Sequence, residues 1–455
     1  MAESMWTDIS NTFVPFEPVP PDKLDTWFVT RPDSPLETLT RQLAPDRLPQ
    51  QYILVGQPAS GKSSELTKLA AELKQRYDAL VVRFDMTDNT DVERANPVEV
   101  IFLMGAALFK VAAAELPGTR QPDRRLLEQL KRGLESLVHT YTENRTFEIN
   151  LDKLLAGLIV FGGAALAGPV GVATGLVISP GVAQAARTFG EKFLPFRFTS
   201  GTNVAVVRKL EVEPQVEAML ESLNAIIDDV RLRADHPLVL LVDGLDKLRD
   251  LDVIRLNFLE KKFLNGPRCC VLYTGPLDLY YSPEFGGVRA RFSIIAFPHV
   301  KLHDRHTPAK HDEHGYQVMR DVASRRLESL GLRYREVIVP AALDMLIQGS
   351  GGVMRDFIRL IQSASLYAEI AGKERIGKPE AAKALNELRR QLMAQLTPDY
   401  HEILNKVRQT HQRVGGADEG EKCDLLLRND VVLSYVNDDI WYDVHAALSE
   451  EPWRG

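Results

Sequence analysis

The stretch YILVGQPASGKSSELTKLAAEL, which begins at Tyr52, constrains the fold of this chain more than any other feature. Four apolar residues suited to a buried strand precede a glycine-rich turn, and a segment with helical periodicity follows the turn. Between the two, Gly56, Gly61, Lys62 and Ser63 fit the pattern G-x-x-x-x-G-K-[ST]. We therefore predict a strand, a loop that wraps around phosphate groups, and a helix. The alternative is a glycine-rich turn that arose by chance.

The residue types of this loop define its expected chemistry. Glycines let backbone N–H groups point inward at phosphate oxygens, and the N-terminus of the next helix adds a partial positive charge. Lys62 can reach the β- and γ-phosphates of ATP, and the Ser63 hydroxyl can hold Mg²⁺. The residues predicted to bind the nucleotide are Gly56, Gln57, Pro58, Ala59, Ser60, Gly61, Lys62, Ser63 and Ser64.

A second apolar run ends in carboxylates. Residues 238–242 are all apolar and long enough for a central parallel strand. Asp243 follows at the end where ligands bind in open α/β sheets, so we predict that it serves Mg²⁺ together with Ser63. Asp246 has two interpretations. It orients or deprotonates the attacking water, or it is a helix N-cap without chemistry.

Three more apolar runs extend the predicted sheet: ALVVRFDMTD, CCVLYTGPLDL and RFSIIAFPHVKL. Thr274 is the last polar residue of its strand and is expected near the γ-phosphate. The alternation of strands and helices predicts a three-layer α/β domain with a parallel sheet. We divide the chain into an N-terminal strap (1–50), the α/β domain (51–300), a helical lid (301–396) and a winged-helix-like domain (397–455).

The winged-helix-like domain has two interpretations, DNA binding or protein packing. Its predicted hairpin is acidic and carries Asp443 in the second strand, which does not suit contact with phosphates. The net charge of the whole chain is −7, so no global basic field attracts nucleic acid. Packing is therefore the favoured interpretation.

Residues 154–186 are an uncharged run inside the predicted α/β domain, within an insert at about 146–200. As one helix the run would span about 50 Å, more than the ~30 Å hydrocarbon core of a bilayer. Gly168-Pro169 and Ser179-Pro180-Gly181 break helices. We predict a kinked helix or a helical hairpin. Its many small residues favour contact with membrane lipid, and burial in a core or an oligomer interface is the alternative.

Three cysteines without metal-ligand spacing indicate a reducing cytosol. The N-terminus has no basic stretch before an apolar core, so no secretory signal is expected. The predicted location is cytoplasmic, at the inner face of the cell membrane if the uncharged run contacts lipid.

The motifs GQPASGKSS and LLVDGLDKL together resemble those of P-loop ATPases of the AAA+ and STAND groups. NACHT-type STAND proteins have a similar DGLDE, where Lys247 replaces the glutamate here. The KAP group has Asp-x-Leu-Asp followed by a basic residue, which is similar to DGLDK.

Thr274 matches the sensor-1 position. SGGVMRDFIRLIQSA resembles the sensor-2 helix of origin-recognition-type ATPases, with Arg355 at the position that reads the γ-phosphate; a surface arginine is the alternative. FVTRPDSPLETLTRQL resembles the segment that precedes the phosphate loop in this class. The resemblance implies that Arg31 lies near the base of the nucleotide.

The resemblance implies an ATP- and Mg²⁺-dependent ATPase with slow turnover, which forms homo-oligomers on binding ATP. Its output would be membrane contact through residues 154–186, in signalling or phage defence, after a trigger that the sequence does not name. One alternative is a DNA-acting ATPase similar to origin-recognition or transposition regulators, although nucleic acid is the less expected partner. Another is a binding module with a degenerate ATPase site, suggested by Lys247. The predicted catalytic residues are Asp243, Asp246, Thr274 and Arg355.

Overall fold

The computed structural model describes residues 2–45, 48–88, 95, 97–141, 213–260, 263–305, 310–394, 396–436 and 439–448. The chain divides into two compact units. Unit 1 comprises Met1–Pro35, Gly56–Thr67 and Ala296–Gly455, and unit 2 comprises Leu36–Val55 and Lys68–Ile295. The uncharged run 154–186 lies outside the described residues, so its predicted hairpin and its lipid contact stay predictions. The four domain ranges drawn from the sequence also stay predictions.

The strands, in chain order, are β1 Gln51–Val55, β2 Leu80–Asp85, β3 Leu238–Asp243, β4 Cys270–Gly275, β5 Ser293–Ala296, β6 Val432–Val436 and β7 Ile440–Val444. The helices are α1 Ala2–Thr12, α2 Leu24–Trp27, α3 Leu36–Gln42, α4 Lys62–Tyr77, α5 Pro97–Glu115, α6 Arg124–Tyr141, α7 Glu213–Arg233, α8 Leu251–Arg255, α9 Asp278–Tyr281, α10 Glu313–Glu328, α11 Tyr334–Val337, α12 Pro340–Gly349, α13 Met354–Ile370, α14 Lys378–Met393, α15 Pro398–Thr410 and α16 Ala417–Arg428.

Unit 2 is built on a five-stranded sheet with the order β2-β3-β4-β1-β5. The pairings β2–β3, β3–β4 and β4–β1 are parallel. Every residue of β3 and β4 is buried, as expected for strands that are covered on both faces. Leu241 of β3 is in register with Leu272 of β4, and Leu54 of β1 with Thr274. The fold class predicted from the sequence, a parallel α/β domain followed by a helical lid and a winged-helix-like end, is confirmed.

Helix α5 is the most apolar helix of unit 2 among the described residues. In that part of the chain it is the one helix that is long and apolar enough to cross a membrane, by length and composition. However, 83% of its most apolar 18-residue segment is buried inside the protein. It packs against β2, β3, α6 and α7. Burial against these elements accounts for its apolar composition, because a helix that is apolar on all sides fits a protein core.

Unit 1 contains the lid and the C-terminal element, by which we mean residues 398–448. In the lid, α13 packs against α14 and against the N-terminal helix α1. Gly351 (φ 60°) and Gly352 (φ 80°) form the turn before α13. A Cβ on Gly352 would overlap the carbonyl oxygen of Val300, so this turn requires glycine. In the C-terminal element, α15 and α16 pack on the antiparallel hairpin β6–β7, which gives the predicted winged-helix outline.

Candidate nucleotide-binding site

The glycine-rich loop follows β1 directly and leads into α4, as the sequence predicts. Gly61 has φ 100°, a conformation that favours glycine. A Cβ on Gly56 would overlap the carbonyl oxygen of Phe297, which packs closely behind the loop. The first and the second glycine of the pattern are therefore both required by the backbone, one for its close packing and one for its left-handed conformation.

Lys62, the first residue of α4, is almost fully buried. Its Nζ donates to the carbonyl oxygens of Gly56 at 2.9 Å and Gln57 at 2.7 Å. These bonds hold the ammonium group within the loop, where the chemistry of the G-x-x-x-x-G-K-S pattern requires a cation. Ser63 and Ser64 are both partly exposed at the start of the helix, and Ser64 Oγ accepts from the backbone N–H of Val19 at 2.9 Å.

Arg31 braces the loop from behind. Its guanidinium donates to the carbonyl oxygens of Ser60 at 3.0 Å and Pro298 at 2.7 Å, and it lies 4.3 Å from the centroid of the Phe297 ring. Asp33 pairs with it at 2.9 Å. The sequence resemblance placed Arg31 near the base. The contacts in unit 1 place it against the backbone of the phosphate loop.

The side chain of Gln57 is bonded entirely to the C-terminal element. Its Nε2 donates to the carbonyl oxygens of Leu427 and Val432, both at 2.7 Å. Its Oε1 accepts from the backbone N–H of Ser434 at 2.6 Å and from Ser434 Oγ at 2.8 Å. Nε2 also lies 3.5 Å from Oδ1 of Asp430. Because an amide has two N–H donors and two acceptor lone pairs, the four shorter bonds already match its full capacity. The sequence pattern marks this position only as a variable residue of the loop.

A largely buried carboxyl and a fully buried imidazole lie beside the loop in unit 1. The carboxyl of Asp430 is 3.5 Å from Nε2 of His299. Burial raises the pKa of Asp430 to about 8, and the neighbouring Asp356 adds to the rise, although Lys62 opposes it. Burial also holds the pKa of His299 well below its ordinary value, with the charges of Arg31 and Lys62 acting in the same direction. Both groups are therefore held in their neutral forms.

Arg355 is the second residue of α13 and lies close to an acidic pair, Asp356 and Asp430. Its charge favours the ionised forms of Asp356 and Asp430, and its guanidinium is 5.8 Å from the centroid of the Phe16 ring. Burial would raise the pKa of Asp356, but the hydrogen bond from His445 and the charges of Arg359 and Arg355 bring it below its ordinary value. Unit 1 thus places the predicted sensor arginine at an acidic pair beside the loop lysine.

The carboxylates predicted from the sequence, Asp243 and Asp246, belong to unit 2. Asp243 is buried at the end of β3, in register with Asp85 of β2, and its Oδ1 accepts from the backbone N–H of Gly244 at 2.9 Å. Arg83 of β2 approaches Asp243 Oδ2 at 3.6 Å. Gly244 has φ 92°, and a Cβ there would lie 2.5 Å from Asp85 Oδ1. The chain can therefore turn sharply after Asp243 because a glycine follows it.

Asp246 lies opposite Thr274 in unit 2. Thr274 Oγ1 donates to Asp246 Oδ1 at 3.2 Å. The N-cap of the next helix, α8, is Asp250, whose side chain accepts from the N–H groups of Asp252 and Val253. The structure does not support the interpretation of Asp246 as a helix cap, and it brings Asp246 together with the threonine at the predicted sensor position. Lys247 Nζ donates to Thr87 Oγ1 at 3.3 Å.

No protein-family model matches this sequence, and no curated protein does either. Solved structures give matches over nearly the whole chain at low identity. The Cdc6p protein of Pyrobaculum aerophilum is 13% identical, covers 96% of each chain and gives a TM-score of 0.39. The ORC1 protein of Aeropyrum pernix, in complex with DNA, is 14% identical, covers 94% of each chain and gives 0.41. Drosophila ORC bound to DNA is 13% identical, covers 97% of this chain and 89% of that one, and gives 0.38.

Likeness at this level carries no argument about activity. The strand order and the loop geometry of this chain agree with the parallel α/β fold and the phosphate loop that the sequence predicts. The predicted site residues fall into two groups: the loop and Arg355 in unit 1, and Asp243, Asp246 and Thr274 in unit 2. The sequence did not single out the side-chain role of Gln57, the brace formed by Arg31, or Asp430.

Proposed function

We propose that this chain binds ATP with Mg²⁺ and hydrolyses it slowly. The strand order carries the proposal. Strand β4, with Thr274, lies between β1, which runs directly into the phosphate loop, and β3, which ends at Asp243. Because the carboxyl ends of parallel strands share one edge of a sheet, one edge of unit 2 presents the end of β1, Asp243 and Thr274.

Each predicted residue then has a role in that chemistry. Lys62 and the loop N–H groups would hold the phosphates, and Ser63 and Asp243 offer the oxygen donors that Mg²⁺ prefers. Bound Mg²⁺ would neutralise charge on the phosphates. Asp246, positioned by the Thr274 hydroxyl, would orient the attacking water or accept its proton. Slow turnover fits the replacement of a glutamate by Lys247 in the motif DGLDK.

Substitution of the loop lysine tests the nucleotide site. Lys62→Ala should abolish ATP binding measured by calorimetry while the chain still folds, as its circular dichroism spectrum and a cooperative melting transition would show. Lys74→Ala on the same helix is the matched control, because Lys74 is half-exposed and pairs with Glu115. Affinity of Lys62→Ala equal to that of the wild type would show that phosphates bind elsewhere.

We further propose that the nucleotide state controls self-assembly, as in STAND- or KAP-like switches. This finer placement rests on the DGLDK motif and on Arg355, which lies at a buried acidic pair beside the loop lysine. Light scattering of the purified chain with and without ATP tests it, since ATP should raise the particle mass. A mass that stays monomeric at saturating ATP would exclude an assembly switch. The trigger and a membrane output through residues 154–186 remain parts of this proposal.

DNA binding is the second candidate function. Two of the similar structures are described as bound to DNA. In this chain Asp443 does not project as a free acidic charge, because it lies 3.7 Å from His303 Nε2 and 3.8 Å from His411 Nδ1. One reason for expecting no nucleic acid partner is therefore weaker than it is in the sequence alone. Fluorescence anisotropy with duplex DNA, with and without ATP, tests this candidate. Equal anisotropy with and without protein would exclude it.

A further inference from the structure

Gln57 belongs to two bonding systems at once. Its backbone carbonyl accepts from Lys62 Nζ, at 2.7 Å, while its side-chain amide is saturated by Leu427, Val432 and Ser434. A buried amide that lost these partners would be left without hydrogen bonds and would pay the full desolvation cost. The hydrogen bonds of this residue therefore join the phosphate loop to the C-terminal element.

The tip of the phosphate loop contacts the same element. Ala59 has φ 62°, a left-handed conformation that is uncommon for a residue with a Cβ. It packs against an apolar cluster of four buried side chains, Val353, Leu433, Tyr435 and Trp441. Left-handed non-glycine residues persist where their surroundings determine the backbone. The C-terminal element thus fixes the loop at its second residue and at its tip.

We infer that Gln57 is a latch between the nucleotide and the C-terminal element. Phosphate groups that draw the Lys62 ammonium away from the Gln57 carbonyl loosen the loop at this residue, and the bonds of its side chain to the C-terminal element are released. The inference rests on the proposed binding of ATP at this loop. Because coupling between two sites is reciprocal, the docked element weakens ATP binding by the factor by which ATP weakens docking.

Hydrogen exchange of the backbone amides of residues 427–436, measured on the full chain, reports the release. In the wild type, ATP with Mg²⁺ should speed exchange there by about fivefold or more, a typical size for coupling between sites. Gln57→Ala should exchange at that faster rate without nucleotide, and ATP should change the rate little. The affinity of Gln57→Ala for ATP, from calorimetry, should rise by a similar factor because no docking energy opposes binding.

Two further variants separate the latch from a general loss of structure. Ser434→Ala removes one of the four bonds from the opposite side and leaves the loop sequence intact, so its exchange rate should lie between those of the wild type and Gln57→Ala. Gln348→Ala, at an exposed glutamine of α12, should change neither exchange nor affinity. Unchanged exchange in both Gln57→Ala and Ser434→Ala would overturn the latch, as would slower exchange of the wild type with ATP. A wild type that binds no ATP in calorimetry would instead refute the proposed function, and the latch with it.

Discussion

At the scale of single residues, Asp246 and Asp250 show how the same side chain does different work four positions apart. Asp250 caps α8 by accepting two backbone N–H groups, whereas Asp246 accepts the hydroxyl of Thr274. The capping carboxylate of Asp250 accepts hydrogen bonds from the backbone of the helix end. The Thr274 hydroxyl instead orients the Asp246 carboxylate beside the strand end at which Thr274 lies.

This difference predicts that replacing aspartate by asparagine lowers turnover at position 246 but not at position 250. Asp246→Asn should preserve ATP binding but lower the turnover number about a hundredfold or more, because an amide cannot accept the proton of the water. Asp250→Asn should leave turnover unchanged, since asparagine is an equally good N-cap. Steady-state release of phosphate measures both. Equal turnover of Asp246→Asn and the wild type would remove Asp246 from the catalytic residues.

Asp430 makes the docked C-terminal element sensitive to pH. Its pKa in the folded chain is about 8, raised by burial, against about 3.8 for an exposed aspartate. The folded state therefore binds the proton more tightly than the unfolded state, so stability falls as the pH rises from about 4 to about 8. The melting temperature should drop between pH 6 and pH 8 in the wild type. The drop should be smaller in Asp430→Asn, because asparagine cannot ionise. The charged and titratable neighbours of this position, His299, Asp356, Arg355 and Lys62, are unchanged in the variant. Parallel melting curves of the two proteins would contradict the assignment.

At the scale of elements, the turn between α12 and α13 sets where Arg355 can act. Gly352 needs glycine for two reasons: its φ of 80°, and the carbonyl of Val300, which its Cβ would overlap. Gly372 also has a positive φ, of 61°, but a Cβ added there would meet no atom of the described residues within 4 Å. Alanine at Gly372 would therefore cause backbone strain alone, whereas alanine at Gly352 would cause backbone strain and a steric clash.

Alanine at the two positions should have unequal effects on stability. Gly372→Ala should cost about 1–2 kcal/mol, the usual penalty of a left-handed residue with a Cβ. Gly352→Ala should cost about 1–3 kcal/mol more, because the neighbouring backbone must also move. Thermal or urea unfolding compares the two. Equal losses would mean that the Val300 segment yields without cost, and the turn would then not fix the start of α13.

At the scale of the whole molecule, the uncharged run 154–186 either contacts membrane lipid or is buried in a protein core or an oligomer interface. If it contacts lipid, Leu166→Asp should abolish flotation with liposomes, because a charge at the bilayer centre costs about 2.5–3.5 kcal/mol. ATP binding should be retained. Leu166→Val, which keeps the site apolar, is the control and should float like the wild type. A wild type that never floats, together with a lower melting temperature of Leu166→Asp, would place the run in a protein core.

The sequence by itself determined the features that depend on local order along the chain. Apolar runs, glycine spacing and terminal carboxylates predicted the parallel sheet, the phosphate loop and the residues Lys62, Asp243 and Thr274. Local patterns suffice there because strand burial and loop geometry follow from neighbouring residues. The sequence left two interpretations of Asp246 open; the fold gives the cap of α8 to Asp250, and the catalytic role of Asp246 stays a prediction.

Tertiary structure alone decided which side chains meet across long stretches of chain. Gln57 forms hydrogen bonds with residues that are at least 370 positions away along the chain. Arg31 contacts the phosphate loop and also donates to the carbonyl oxygen of Pro298. No local pattern encodes such partners, because hydrogen bonds of buried side chains form wherever packing brings donors and acceptors together. The raised pKa of Asp430 has the same origin: burial against distant segments, which only the folded chain provides.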